Sequence, residues 1–356
     1  MGMIDADAHV IEIDATWEYM DPGERHYKPG VSYRTLDSGE VTKHWIIGGR
    51  AIRTPWPGGG PQGELGLFIG NVALPTESKY MLDVGSRVRH MDELGTEVQV
   101  LYPSLWTAPI TTDPAEEAAI CRSYNRWMAD VWAEGNGRLR WAAVVPVLAM
   151  DEIEGQLRFA KDHGAVAVNL RGVEAGNHLI GDPYMYPLYE WAAELDMPVC
   201  PHTGTGSFEI DSIFGGPLTA FERNKFNGLS AFHSLLMTGV PERFPKTRWG
   251  IIEFSADWIP YLLNDIKRRV ERRGGTPAER PLTDNHIWVT LQLNDDLEQI
   301  YRYAGDDRLV IGTDYGHADS ATEINALNTF GEDERMGASS RDRILWDNPR
   351  ELYAID

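Results

Sequence analysis

From about residue 98 onward the apolar residues fall into short, nearly continuous runs. They read "VQVLYPS", "LRWAAVVPV", "AVAVNLRG", "MPVCPHTG", "RWGIIEFS", "HIWVTLQL" and "RLVIGTDY". Runs of this length, rich in β-branched and aromatic residues, predict strands buried on both faces. Between them, stretches such as "MDEIEGQLRFAKDHG" and "YPLYEWAAELD" repeat their apolar positions every three to four residues and predict amphipathic helices. The opening "IDADAHVIE" supplies one more strand. Eight strands alternating with helices are the pattern of an α/β fold of the (β/α)8 TIM-barrel type. A doubly wound sheet is the alternative, and no glycine fingerprint follows the first strand to support it. Residues 13–80 break the pattern. They are rich in Gly, Pro and Trp, as in "TPWPGGGPQGELGLFIG", with one alternating piece, "VTKHWIIGG", that predicts a short hairpin strand. We read residues 1–356 as one domain, with 13–80 as a lid or insertion.

Composition narrows the function classes. The 356 residues are 42% hydrophobic and 24% charged, enough for a large core. Two cysteines, Cys121 and Cys200, are too few for a disulfide framework and point to a reducing compartment. No basic and apolar leader precedes Ile4, and no apolar run approaches the roughly 18 residues needed to span a bilayer, so the expected location is cytoplasmic, without a membrane partner. A formal net charge of −21 argues against nucleic acid. The basic run Lys267–Arg273 reads as a solvated helix face.

The opening strand raises the chemical question. Alternation puts Asp5, Asp7 and His9 on one face. A core does not accept two carboxylates and an imidazole without partners, and a metal ion is the obvious one. A barrel places functional groups at the C-terminal ends of its strands. Asp7 and His9 stand there on the first strand, with Glu12 just beyond. His202 ends the fifth, Glu253 the sixth and Asp314 the eighth, with His317 following. Four such tips converging on one mouth predict a metal centre.

"DADAH", "HTG" and "GTDYGH" resemble the amidohydrolase superfamily, closest to its amidohydrolase-related branch, which holds aminocarboxymuconate-semialdehyde decarboxylase-like enzymes. The resemblance extends through "GVPERFPKTRWGIIE" and the closing "LWDNPRELY". It implies that Asp7, His9, His202 and Asp314 are metal ligands. It also implies two departures. The bridging lysine of the binuclear hydrolases is missing from the fourth strand, where Asn169 stands near the tip, and Glu253 replaces the histidine that the decarboxylases carry on the sixth.

His233, in "SAFHSLL", is a sixth candidate ligand if the long loop after the fifth strand bends its segment over the mouth. Zinc in a catalytic site takes three protein ligands and a water. Six nitrogen and oxygen donors with Glu253 as a bridge suit two iron ions instead, with one zinc or manganese as the alternative. Such a site resembles the nonheme diiron monooxygenases of the platensimycin-pathway type. That resemblance implies O2-dependent hydroxylation of a bulky, CoA-linked acyl substrate, with an external electron donor. The alternative is a metal-dependent hydrolase or decarboxylase of the superfamily. Glu12 and His317 are the catalytic candidates, Glu12 alternatively a seventh ligand or a hydrogen-bond partner of His9. Trp45, Trp56, Phe68, Trp106, Phe208 and Phe214 are candidate pocket aromatics, and Arg53, Lys79, Arg223 and Lys225 candidate phosphate contacts. A homodimer is the default assembly.

Overall fold

A computed structural model describes residues 2–56, 74–215, 221–317 and 321–355. Its centre is an eight-stranded parallel sheet in the order β1 (Met3–Val10), β5 (Thr96–Pro103), β6 (Leu139–Ala143), β7 (Ala165–Arg171), β8 (Val199–His202), β9 (Trp249–Ile251), β10 (Ile287–Leu291) and β11 (Leu309–Ile311). Helices lie between successive strands and cover the outside. β11 returns to β1 through a bridge between Ala8 and Tyr315, which closes a (β/α)8 barrel. All eight apolar runs became barrel strands. Their interior is a small cluster that includes Ala6, Val100, Tyr102, Ala167, Cys200, Trp288 and Val310, against which the C-terminal helix Asn348–Tyr353 packs Leu352 and Tyr353. The larger cluster lies between strands and helices. Closure needs Gly312, because a Cβ there would stand 2.3 Å from the Asp7 Cβ.

The insertion is more regular than its composition suggests. β2 (Gly30–Thr35), β3 (Val41–Ile47) and β4 (Arg50–Thr54) form a separate antiparallel sheet in the order β2-β3-β4. The β3–β4 turn is Gly48-Gly49, both at positive φ, as a two-residue hairpin turn requires. Residues 57–73, with Phe68, lie outside the described residues. Among those described, no helix is long and apolar enough to cross a membrane.

One buried carboxylate makes stability pH-dependent. Glu117 accepts the Leu148 N–H at 2.7 Å. Burial pushes its pKa from 4.5 to about 7, against the opposing pull of that hydrogen bond and of Arg171. Between these two values the folded chain holds a proton that the unfolded chain has lost. Stability therefore falls as pH rises through that window, by on the order of 2–3 kcal/mol. Glu117→Gln should flatten the fall in melting temperature between pH 5 and pH 8, measured by calorimetry. An unchanged slope would assign the effect to other buried acids such as Asp5, whose pKa burial raises to about 6.

Candidate metal centre

The barrel brings five of the six sequence-predicted ligands together. Asp7 and His9 come from β1, His202 ends β8, and Glu253 and Asp314 lie just past β9 and β11. Glu253 and Asp314 both hold left-handed backbone, with φ of 68° and 52°. Non-glycine residues rarely sit there, and such strain gathers at functional sites. Their neighbours hold them in place. The Thr290 hydroxyl lies 2.6 Å from the Glu253 backbone N, the Thr203 hydroxyl donates to Glu253 Oε2 at 2.9 Å, and the Thr322 hydroxyl donates to Asp314 Oδ2 at 2.6 Å.

The donor atoms converge closely. His9 Nε2 is 3.3 Å from Asp314 Oδ1, 3.6 Å from Asp7 Oδ1 and 3.7 Å from Glu253 Oε2. His202 Nε2 is 3.4 Å from Asp7 Oδ1 and 3.1 Å from Glu253 Oε2. Donors bound at about 2.0–2.2 Å to a single ion stand roughly 2.8–3.6 Å apart, across right-angled to tetrahedral geometries. Four of the five spacings fall in that range, and the fifth, His9 to Glu253 at 3.7 Å, lies just beyond it. Asp7 Oδ1, His9 Nε2 and His202 Nε2 are also buried without a hydrogen-bond partner among the described residues. Buried polar atoms are almost always satisfied, so these three call for a cation between them. The residues present fit a metal ion.

Electrostatics supports the same placement. Burial pulls the His9 imidazole well below its ordinary pKa, and the adjoining His317 and His202 rings push the same way. For His202, burial also opposes charge, but the Glu253 and Asp7 carboxylates outweigh it and raise the pKa to about 9. A proton held there must leave before Nε2 can ligate, so ion binding releases a proton.

Three expectations need correction. His233 does not join the cluster. It lies on the helix Phe226–Thr238 with its ring 3.7 Å from Asp265, because Asn227, Ala231 and Leu235 form the buried stripe of that helix and His233 falls off it. Glu12 is neither placed as a ligand nor bonded to His9. It is buried, and its two oxygens accept the Ser104 and Leu105 N–H groups at 3.1 and 3.0 Å, which holds the loop after β5. Trp45 is a core residue, packed edge-on against Trp17, and not a pocket wall.

His317 does reach the cluster. Its Nδ1 lies 2.9 Å from Asp314 Oδ1, its Nε2 2.8 Å from the Ser104 hydroxyl, and its ring stacks on His9 at 3.7 Å. Together with His9, Glu253 and Asp314 it forms a second, overlapping group of potential ligands. Of the pocket candidates, Trp106 is buried beyond β5, Trp56 packs on Tyr33, and the Phe208 ring carries the Arg50 guanidinium at 3.6 Å. Arg53 pairs with Glu40, and Arg223 lies 4.0 Å from Asp211. Sequence reasoning missed Arg171, which ion-pairs with Glu174 three residues on, and Arg87, which meets His9 and Tyr315 far along the chain.

A family model described as Amidohydrolase matches residues 4–355. An amidohydrolase from Mycobacterium avium subsp. paratuberculosis K-10 is 20% identical, covers 100% of this chain and 98% of its own, and superposes with a TM-score of 0.80. A 5-carboxyvanillate decarboxylase from Novosphingobium aromaticivorans DSM 12444, solved with manganese and 4-hydroxy-3-methoxy-5-nitrobenzoic acid, is 17% identical over 77% of this chain and 81% of its own, with a TM-score of 0.61. A 2,6-dihydroxybenzoate decarboxylase from Rhizobium is 19% identical over 75% and 87%, also at 0.61. No curated protein matches significantly.

Proposed function

This chain belongs to the amidohydrolase family, and from that premise we propose that it is a single-ion enzyme that hydrolyses or decarboxylates a small organic acid without O2 or an outside reductant. The observation that carries this reading is the group formed by Asp7, His9, His202 and Glu253, whose donor atoms all lie within 4.8 Å of one another, with Asp314 Oδ1 3.3 Å from His9 Nε2 at its edge. The loss of His233 from the set weakens the case for two irons, which rested on six ligands. The lysine that bridges two ions in binuclear relatives has no counterpart on β7, whose Arg171 is bound by Glu174. Solved relatives with the same fold include decarboxylases, one of them bound to manganese.

Asp7, His9, His202, Glu253 and Asp314 would hold the ion. When bound, it would supply Lewis acidity toward a carboxylate or carbonyl oxygen of the substrate. The chain does the rest. The His317 side chain is 15% exposed, against 6% or less for the five ligand candidates, and so faces the approach to the site. Asp314 and Ser104 engage its two nitrogens and fix the ring at the approach to the site, where a substrate that displaces the Ser104 contact would meet Nε2 as a proton donor or acceptor. The described part of the 13–80 insertion, its antiparallel sheet β2–β4, acts as a lid. The β3–β4 turn reaches the helices that follow β5 and β8, where Gly48 N–H donates to Glu116 Oε1 at 3.1 Å in the helix Pro114–Glu134 and Arg50 covers Phe208 at the start of the helix Phe208–Phe214. A lid there excludes water from the mouth.

Turnover of a panel of aromatic and unsaturated carboxylic acids by the manganese-loaded enzyme in sealed anaerobic vessels tests the proposal. Release of CO2 or hydrolysis without oxygen is expected. The second group of potential ligands, around His317, favours a second reading, a diiron oxygenase. A product that forms only with ferrous iron, O2 and reductant, and that gains one oxygen atom, would establish it and overturn the first.

A further inference from the structure

We infer that Arg87 is a positioning residue for the metal centre, holding β1 against β11 at the seam where the barrel closes. The inference rests on the metal-centre reading above. The candidate ligands lie on both sides of this seam, Asp7 and His9 on β1 and Asp314 just past β11. The seam is thinly bonded. β1 pairs with β5 at six positions. With β11 it shares one bridge, at Ala8 and Tyr315, and the backbone hydrogen bonds His9 N–H to Tyr315 O and Asp314 N–H to Asp7 O, each 2.8 Å. The 3.3 Å spacing of His9 Nε2 and Asp314 Oδ1 therefore depends on what else fastens the two strands.

Arg87 does this from the helix Val84–Leu94. Its side chain is fully buried. It spends its donors on neutral oxygens, with Nε on Gln99 Oε1 at 2.7 Å, Nη2 on the His9 carbonyl at 3.3 Å and Nη1 on the Ser78 carbonyl at 3.4 Å. Its guanidinium lies 3.5 Å over the Tyr315 ring. One planar group thus touches the backbone of a ligand on β1 and the residue that follows a ligand on the other side. The contact continues on both sides. The Tyr315 hydroxyl meets Ser78 Oγ and His90 Nδ1, each at 2.7 Å. Gln99 donates to Asp5 Oδ2 at 3.1 Å, and Asp5 accepts the Thr313 N–H at 2.9 Å and its hydroxyl at 2.5 Å. Asp5 thereby ties β1 directly to the end of β11.

A buried cation without a carboxylate partner is costly, and core packing alone does not call for one. Burial pulls the Arg87 pKa down to about 10, with Tyr315 and Asp5 opposing, so the group stays charged at neutral pH. Lysine cannot replace it, because a single ammonium neither stacks flat on Tyr315 nor reaches three acceptors in one plane. Ser78 lies at the end of the 13–80 insertion, so the same guanidinium also anchors the root of the lid.

Arg87→Met and Arg87→Lys test the inference through two readouts that do not require turnover. Mn2+ affinity by calorimetric titration should weaken about 10–100-fold, the effect seen when groups that orient metal ligands are lost. Hydrogen exchange at the His9, Asp314 and Tyr315 amides should accelerate in the metal-free protein. Gln156→Ala, which removes a hydrogen bond to the Ala118 carbonyl between two outer helices, serves as the reference. It should lower the melting temperature and leave both readouts unchanged. If Arg87→Met does not fold, Gln99→Leu removes the Nε acceptor and should shift both readouts in the same direction. Wild-type Mn2+ affinity with unchanged seam exchange in the folded variants would overturn the inference. A wild-type protein that binds no divalent ion would instead overturn the metal-centre reading, and that failure is visible before any variant is made.

Discussion

His9→Ala should purify as a folded protein that retains less than about one-tenth of the metal bound by the wild type. His9 Nε2 lies within 3.7 Å of oxygens from Asp7, Glu253 and Asp314, so it is the nitrogen around which the carboxylates gather. Its removal leaves three buried carboxylates and one imidazole, with no replacement ligand on β1. Even the loss of a group that merely orients a ligand lowers metal affinity about 10–100-fold, and loss of the ligand itself should exceed that. The fold should survive, because the large apolar cluster between strands and helices does not depend on the His9 ring. Elemental analysis beside far-UV circular dichroism checks both halves. Normal metal content would remove His9 from the ligand set.

The largest loss of stability is expected from Arg171→Met. Arg171 ends β7 almost fully buried, and its Nε and Nη2 engage Glu174 Oε2 at 3.1 and 2.5 Å. Its Nη1 donates to the Ala108 carbonyl at 3.1 Å in the loop after β5. From the loop after β8, Gly206 approaches so closely that a Cβ there would lie 2.9 Å from the guanidinium carbon. One side chain thus joins three loops at the mouth. Its removal leaves Glu174 buried without its cation, which costs about 3–5 kcal/mol. Denaturant unfolding measures this. The double variant Arg171→Met with Glu174→Gln should recover part of the loss, since it removes the orphaned charge as well. A double variant less stable than the single would show that the pair acts through packing and not through charge.

Much of this was legible in the chain. The eight apolar runs mark the barrel strands because a parallel barrel buries both faces of each strand. Asp7, His9, His202, Glu253 and Asp314 could be read as a group because a barrel gathers strand ends at one mouth. His233 was misplaced because loop length says nothing about direction. The corrective signal was present, since Asn227, Ala231 and Leu235 already mark the inward stripe of that helix. The antiparallel sheet of the insertion was partly legible in "DSG" and "GG", which are turn residues. Asp5 was legible as an inward carboxylate, but its partner Thr313, 308 residues away, was not. Arg87 and Arg171 could not be read from the chain, because their contacts to the His9 and Ala108 carbonyls are long-range and no local pattern encodes those.

The most direct test of the single-ion account is the number of divalent ions bound per chain, measured by equilibrium titration of the chelated protein with Mn2+ and elemental analysis of the saturated product. One tightly held ion per chain is predicted. Two equally tight ions per chain would contradict the account.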